Sequence, residues 1–134
     1  MAKIFVYGTL MNSMDKFVEG SKLLFDDVVL SGASLYNLGW FPGLIFDFDQ
    51  NRTVTGQIWE FPAEGWERLD RYEGFTPDNP EASLYLRRRL PMGNLVRQEG
   101  MNDAFLRSRI EVYQYNSRVT HEMRIPDGKW ASVA

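Results

Sequence analysis

The chain has 134 residues, 44% of them hydrophobic, and a net charge of −3; at this length folding hides roughly two-thirds of the surface an unfolded chain exposes, enough for one domain, spanning residues 1–134, with a real core. The absence of cysteine excludes disulfides, thiolate nucleophiles and cysteine-based zinc sites. A negative chain whose one basic run is Arg87-Arg88-Arg89 is not expected to bind nucleic acid, and no apolar run approaches the roughly 18 residues that would cross a membrane.

The N-terminus offers Lys3 and then only Ile4-Phe5-Val6-Tyr7, too brief for a signal-peptide core, so a soluble, cytoplasmic protein is expected. That same run reads as a short buried strand stopped by Gly8. A short helix follows, capped by Asn12 or Ser13, with Met14, Phe17 and Val18 on one face and Gly20 just beyond its end. Residues 28–38 read as a long strand broken by Gly32, where a bulge or close backbone approach is expected. Leu38-Gly39-Trp40-Phe41-Pro42-Gly43 is a turn. Residues 44–48 and 53–61 alternate as two strands, and the Asx-rich residues 47–52 between them favour a hairpin loop.

Pro62 opens a helix over residues 63–73 that closes at Gly74, and strands return at 83–90 and 109–115. Between those two strands, residues 91–108 contain one possible helical turn, at 103–106. Many strands with few short helices, and nineteen aromatic rings (nine Phe, six Tyr, four Trp), indicate an α+β fold with a closed or nearly closed mixed sheet.

Two segments could carry chemistry. In Tyr7-Gly8-Thr9-Leu10 a strand ends in glycine and a small hydroxyl residue. Successive backbone N–H groups can then face one concavity and hold an anionic group, with Gly8 permitting close approach and a positive φ. The simpler reading is an ordinary turn. In the later helix, at about 100° per residue, Glu73 falls between Trp66 and Leu69 on the apolar face, with Glu67, Arg68 and Arg71 opposite and Asp70 at the margin. Desolvation and the negative helix end would both raise the pKa of a carboxylate placed there, as general acid–base chemistry requires; a frayed last turn would instead release it to water.

Other candidates fall away. His121 is the one histidine and reads as a surface residue; with no Gly-x-Ser-x-Gly elbow, a serine triad has no support. Asp47-x-Asp49-x-Asn51 begins like a calcium loop, but Arg52 and Ile58 occupy the positions that need Gly and Glu. No metal and no cofactor are expected. Arg87 to Arg89 alternates across a strand and reads as a solvated face, while Tyr85 and Tyr115 either line a pocket or pack the sheet.

Three landmarks in order resemble the γ-glutamylcyclotransferase-like (AIG2-like) family: Val6-Tyr7-Gly8-Thr9-Leu10, Leu38-Gly39-Trp40-Phe41-Pro42-Gly43 and Leu69-Asp70-Arg71-Tyr72-Glu73-Gly74. Tyr85 with Arg87, and the closing Ile125-Pro126-Asp127-Gly128-Lys129-Trp130, extend the similarity over nearly the whole chain. The resemblance implies a small mixed β-barrel with flanking helices and an enzyme that converts a γ-glutamyl amino acid or amine to 5-oxoproline. It implies that the backbone of Tyr7, Gly8, Thr9 and Leu10 holds the substrate carboxylate and that Glu73 is acid and base; Gly43, Tyr85 and Tyr115 are further candidates for binding the substrate. Phe41 stands where the family commonly has tyrosine. The alternative is a non-catalytic domain that binds a carboxylated metabolite in the same cavity, or an interaction module on the same barrel.

Overall fold

A computed structural model describes residues 1–133. Strand β1 (Ala2–Val6) lies at the centre of a five-stranded sheet in which β2 (Lys22–Ser31), β5 (Thr53–Phe61), β1, β7 (Glu111–Tyr115) and β6 (Tyr85–Arg89) are neighbours in that order. β1 and β7 run parallel and the other pairs antiparallel. A second sheet of three strands has β3 (Ala33–Asn37) between β4 (Pro42–Phe46) and β8 (Arg124–Ile125).

The unbroken apolar run of β1 reflects burial on both faces. Phe5 and Tyr7 point into a core shared with the three-stranded sheet, with Leu35, Leu44, Ile58 and Val112. Ile4 and Val6 point the other way, into a second core with Trp59, Phe61 and Tyr113. Met14, from the short helix α1 (Met14–Phe17), and Leu69, from helix α2 (Trp66–Glu73), complete that second core. This two-faced layering around one strand fixes where the chain leaves β1, and so where the Tyr7 to Leu10 turn must lie.

Two expectations are corrected. Residues 28–38 do not form one strand: at Gly32, with φ +76°, the chain leaves the first sheet and enters the second, so the glycine divides β2 from β3 instead of bulging one strand. Residues 47–52 do not close a hairpin either, because β4 pairs with β3 while β5 pairs with β1 and β2. They cross between sheets, held by Arg52 against Asp47 and Asp49 at 3.3 and 3.4 Å. The hairpin turn is residues 38–41, closed by Leu38 N–H donating to the Phe41 carbonyl. The barrel is correspondingly open: no strand ladder among the described residues joins the two sheets.

Residues 91–108 contain the expected helical turn, α3 (Asp103–Leu106), capped by the Asn102 side chain on Phe105 N–H. The segment lies along β2. Val96 N–H donates to the Val29 carbonyl, Gln98 donates to the carbonyls of Asp26 and Asp27, and Phe105 packs on Phe25 at 4.8 Å. It therefore covers an edge strand that would otherwise be open for pairing. None of its residues lines the cavity described next. No helix among the described residues is long and apolar enough to cross a membrane.

Candidate active site

Where β1 ends, Gly8 begins a tight turn in which Met11 N–H donates to the Gly8 carbonyl at 3.0 Å. Ser13 Oγ donates back to the Thr9 carbonyl at 3.0 Å. Among the described residues no hydrogen bond engages the N–H groups of Gly8, Thr9 or Leu10, so this turn keeps donors available for an anion. The turn is fixed from behind by Gln57, which sequence reading passed over as one polar residue in an alternating strand. Its buried amide accepts from Asn12 N–H at 2.8 Å and donates to Asn12 Oδ1 at 2.7 Å, holding Asn12 at φ 64°. Trp59 Nε1 and Asp26 complete the bonding of that amide.

Gly8 itself is not in the left-handed region. Glycine is required there because a Cβ would lie 2.6 Å from Pro42 Cγ, and a proline ring has little room to yield. Gly8→Ala should therefore push the β3–β4 hairpin off the turn, costing about 1–2 kcal/mol of stability and raising KM for any ligand held by the turn. Thermal melts and Michaelis constants check both parts, and an unchanged KM would show that the turn holds no ligand.

A cavity of about 330 Å³ opens over this turn, within the size range of small-molecule sites. Its walls include Tyr7, Gly8, Thr9 and Leu10 from the turn, Trp40, Phe41 and Pro42 from the hairpin, and Tyr72 and Glu73 from the end of α2. Leu84, Tyr85 and Tyr113 close the remaining side. Glu73 is the last residue of α2, and Gly74 at φ 68° ends the helix in the left-handed cap expected of it. No hydrogen bond or ion pair among the described residues engages the half-buried Glu73 carboxylate. Burial raises its pKa from 4.5 to about 7.

Three tyrosine hydroxyls near Glu73 are already committed to the frame. Tyr7 donates to the Tyr113 carbonyl at 2.6 Å and accepts from Leu44 N–H at 3.3 Å, tying β1, β4 and β7 together. Tyr85 donates to the Pro42 carbonyl at 2.6 Å, and Tyr113 donates to Asp70 Oδ1 at 2.6 Å. Burial foremost, then neighbouring charges and hydroxyls with Glu73 among them, pushes all three pKa values up. They stay protonated, which leaves Glu73 as the group in the cavity poised to exchange a proton near neutral pH.

Gly43 and Tyr115 stand behind the wall. A Cβ on Gly43 would lie 2.9 Å from Tyr115 Cβ; the pair packs flush, and the Tyr115 ring meets Tyr85 edge-on at 5.5 Å. They shape the cavity through Tyr85 and do not line it. The basic run is also corrected. Arg87 is no solvated residue: its guanidinium pairs with Asp70 at 3.1 Å and Glu111 at 3.5 Å and lies over the Trp66 ring at 4.3 Å. Asp70, marginal on the helical projection, is buried and ties α2 to β6 and β7 one turn before Glu73. His121 is exposed, and no group of acidic or histidine side chains among the described residues could hold a metal.

The α+β frame thus gathers the turn after β1, with its unengaged backbone donors, and an unpaired carboxylate around one aromatic cavity, the candidate small-molecule site. The sequence profile of gamma-glutamyl cyclotransferase, AIG2-like proteins matches residues 4–132, and the chain belongs to that family. No curated protein matches the sequence. Among solved structures, an uncharacterised protein from Pyrococcus horikoshii shares the fold with TM-score 0.66 and 18% identity, over 99% of this chain and 92% of its own. A gamma-glutamyl cyclotransferase does so with TM-score 0.61 and 14% identity, over 85% and 66%. An AIG2-like protein from Mus musculus does so with TM-score 0.57 and 22% identity, over 92% and 82%.

Proposed function

We propose that this chain is a cyclotransferase that converts a γ-glutamyl amide to 5-oxoproline and a free amine. The observation that carries the reading is the Glu73 carboxylate, unpaired and with its pKa raised to about 7, in a cavity also lined by Gly8, Thr9 and Leu10, whose N–H groups are unengaged. The turn receives the substrate α-carboxylate and so fixes the α-carbon. The chain beyond it folds back until the α-nitrogen faces the γ-carbonyl carbon.

Ionised Glu73 takes a proton from the α-ammonium, and the resulting amine attacks the γ-carbonyl. A carbon–nitrogen bond forms within a five-membered ring as the original γ-amide carbon–nitrogen bond breaks. Two protons leave the α-nitrogen in all, and both end on the departing nitrogen, which leaves as an ammonium ion. Neither water nor a co-reactant is consumed. Holding the bent conformer is where the protein contributes most, since orientation lowers such barriers by several kcal/mol, and Glu73 adds the proton relay.

The test is mass-spectrometric detection of 5-oxoproline from a panel of γ-glutamyl compounds; binding without release would leave a metabolite-binding domain. Because Glu73 must be ionised at the start, kcat/KM should fall about tenfold per pH unit below a limb near pH 7. A limb near the ordinary carboxylate value would separate the base from this carboxyl group.

A further inference from the structure

We infer that Asp26 and Gln98, neither of which lines the cavity, are positioning residues for the turn after β1: through Gln57 and Asn12 they set where the backbone donors of Gly8, Thr9 and Leu10 point. The kinetic side of the inference rests on the cyclotransferase reading; the structural side stands apart from it. The turn ends at Asn12, whose φ of 64° lies in the left-handed region. A residue other than glycine keeps such a conformation only where its surroundings over-determine it. Gln57, 2% exposed and paired with Val6 at the end of β1, supplies that constraint through its bonds of 2.8 and 2.7 Å to the Asn12 N–H and side chain.

The orientation of the Gln57 amide is itself dictated. Trp59 Nε1 can only donate, and it lies 3.0 Å from Gln57 Oε1, so the NH2 group faces the other way. One of its protons goes to Asn12 Oδ1 and the other to Asp26 Oδ1, at 3.0 Å. Every hydrogen-bonding position of this buried amide is then filled, and leaving one of its protons unmet would carry a desolvation cost. Asp26 reaches it because β2 bulges there. Phe25 pairs with Ile58 and Val28 with Gly56, so Asp26 and Asp27 stand opposite Gln57 alone, and a bulge re-aims the side chain it carries. The bulge leaves Asp27 at φ 47° and is pinned from outside: Gln98 Nε2 donates to the carbonyls of Asp26 and Asp27 at 2.9 and 2.8 Å. The 91–108 segment, docked on β2 through Val96 and Phe105, thus bears on the turn through a continuous series of hydrogen bonds, Gln98 to Asp26 to Gln57 to Asn12.

The test reads the turn directly by NMR on isotope-labelled protein without ligand. Gln98→Ala, at a half-buried site clear of the cavity, should shift the amide resonances of Gly8, Thr9 and Leu10 and leave those of α2 in place. KM across the γ-glutamyl panel should rise about three- to tenfold, the effect of losing hydrogen bonds of ordinary strength. The value of kcat and the acid limb of kcat/KM should hold, because Glu73 sits on a different element. Gln57→Glu removes the NH2 donor and sets a second carboxylate against Asp26 Oδ1, so it should raise KM by about tenfold or more. Asp26→Asn in that background returns a donor to the pair and should recover most of the loss, a coupling that two independent structural defects would not show. Should Gln57→Glu fail to fold, Gln98→Ala decides. Unshifted turn resonances in Gln98→Ala, or a variant that melts lower with KM unchanged, would overturn the inference and leave these residues supporting β2 alone. A panel that yields no 5-oxoproline would sink the proposed reaction, and the turn resonances, which need no substrate, would still decide for or against the positioning.

Discussion

Glu73→Gln is expected to lower the rate of 5-oxoproline formation by about 10²- to 10⁴-fold, the usual consequence of removing a general acid–base. The substitution keeps the size of the side chain and deletes its titration, so the turn and the cavity walls stay in place. Its effect on stability has the opposite sign. The Glu73 pKa rises from 4.5 in the unfolded chain to about 7 on folding because burial penalises the charged form. Between those values the folded state binds more protons than the unfolded state, so stability falls as pH rises from 4.5 to about 7 and is level above that. The loss amounts to at most about 3 kcal/mol. Glutamine has no such component, and at pH 8 the variant should melt several degrees higher than the unaltered protein, with the two converging near pH 4. Titrations common to both proteins cancel in the difference. Melting curves from pH 4 to 8 beside single-turnover rates check both halves. An active variant removes Glu73 from the mechanism, whereas an inactive one with an unchanged melting profile would keep Glu73 catalytic but solvated.

Glu73 was legible because its placement depends on local geometry alone. Eight residues of helix, a left-handed glycine after them and the angles between Trp66, Leu69 and Glu73 are all contained in residues 66–74. The same holds for the Asn102 cap of the turn at 103–106. What escaped was long-range. Alternation in residues 53–61 announces a strand but not its partners, and the partners proved to be β1 and β2 instead of the adjacent β4. Gln57 is one polar residue in that strand; its meaning depends on Asn12, 45 residues earlier. Asp70 sat at the margin of the helical projection because the group that makes its burial tolerable, Arg87, arrives on a strand 17 residues later. Cavity walls assembled from the β1 turn, the β3–β4 hairpin, α2 and β6 cannot be told from packing residues until the sheets are known, which is why Tyr85 lines the site while Tyr115 stands behind it.

Asp70→Ala is expected to cost about 3 kcal/mol of stability and to move the pH–rate limb. Asp70 accepts two contacts from Arg87 Nη1, at 3.1 and 3.2 Å, and the Tyr113 hydroxyl at 2.6 Å. Deleting it strands a largely buried guanidinium and a buried hydroxyl, and breaking such a pair from one side costs far more than the pair contributes. Arg87 keeps Glu111 at 3.5 Å and the Trp66 ring, which holds the loss toward the lower end of that range. The end of α2 is then tied to β6 and β7 less firmly, and Glu73, three residues on, gains access to water. Its pKa should drop from about 7 toward the ordinary 4.5, carrying the acid limb of kcat/KM down with it. Asp70→Asn, which keeps one acceptor oxygen for Tyr113, should recover part of the stability and of the limb. Replacing Arg87 by Met in the Asp70→Ala background removes the stranded charge, so the double variant should be more stable than the sum of the two single losses. Additive losses, or a limb that stays near pH 7 while stability falls, would show that Asp70 supports the fold without positioning Glu73.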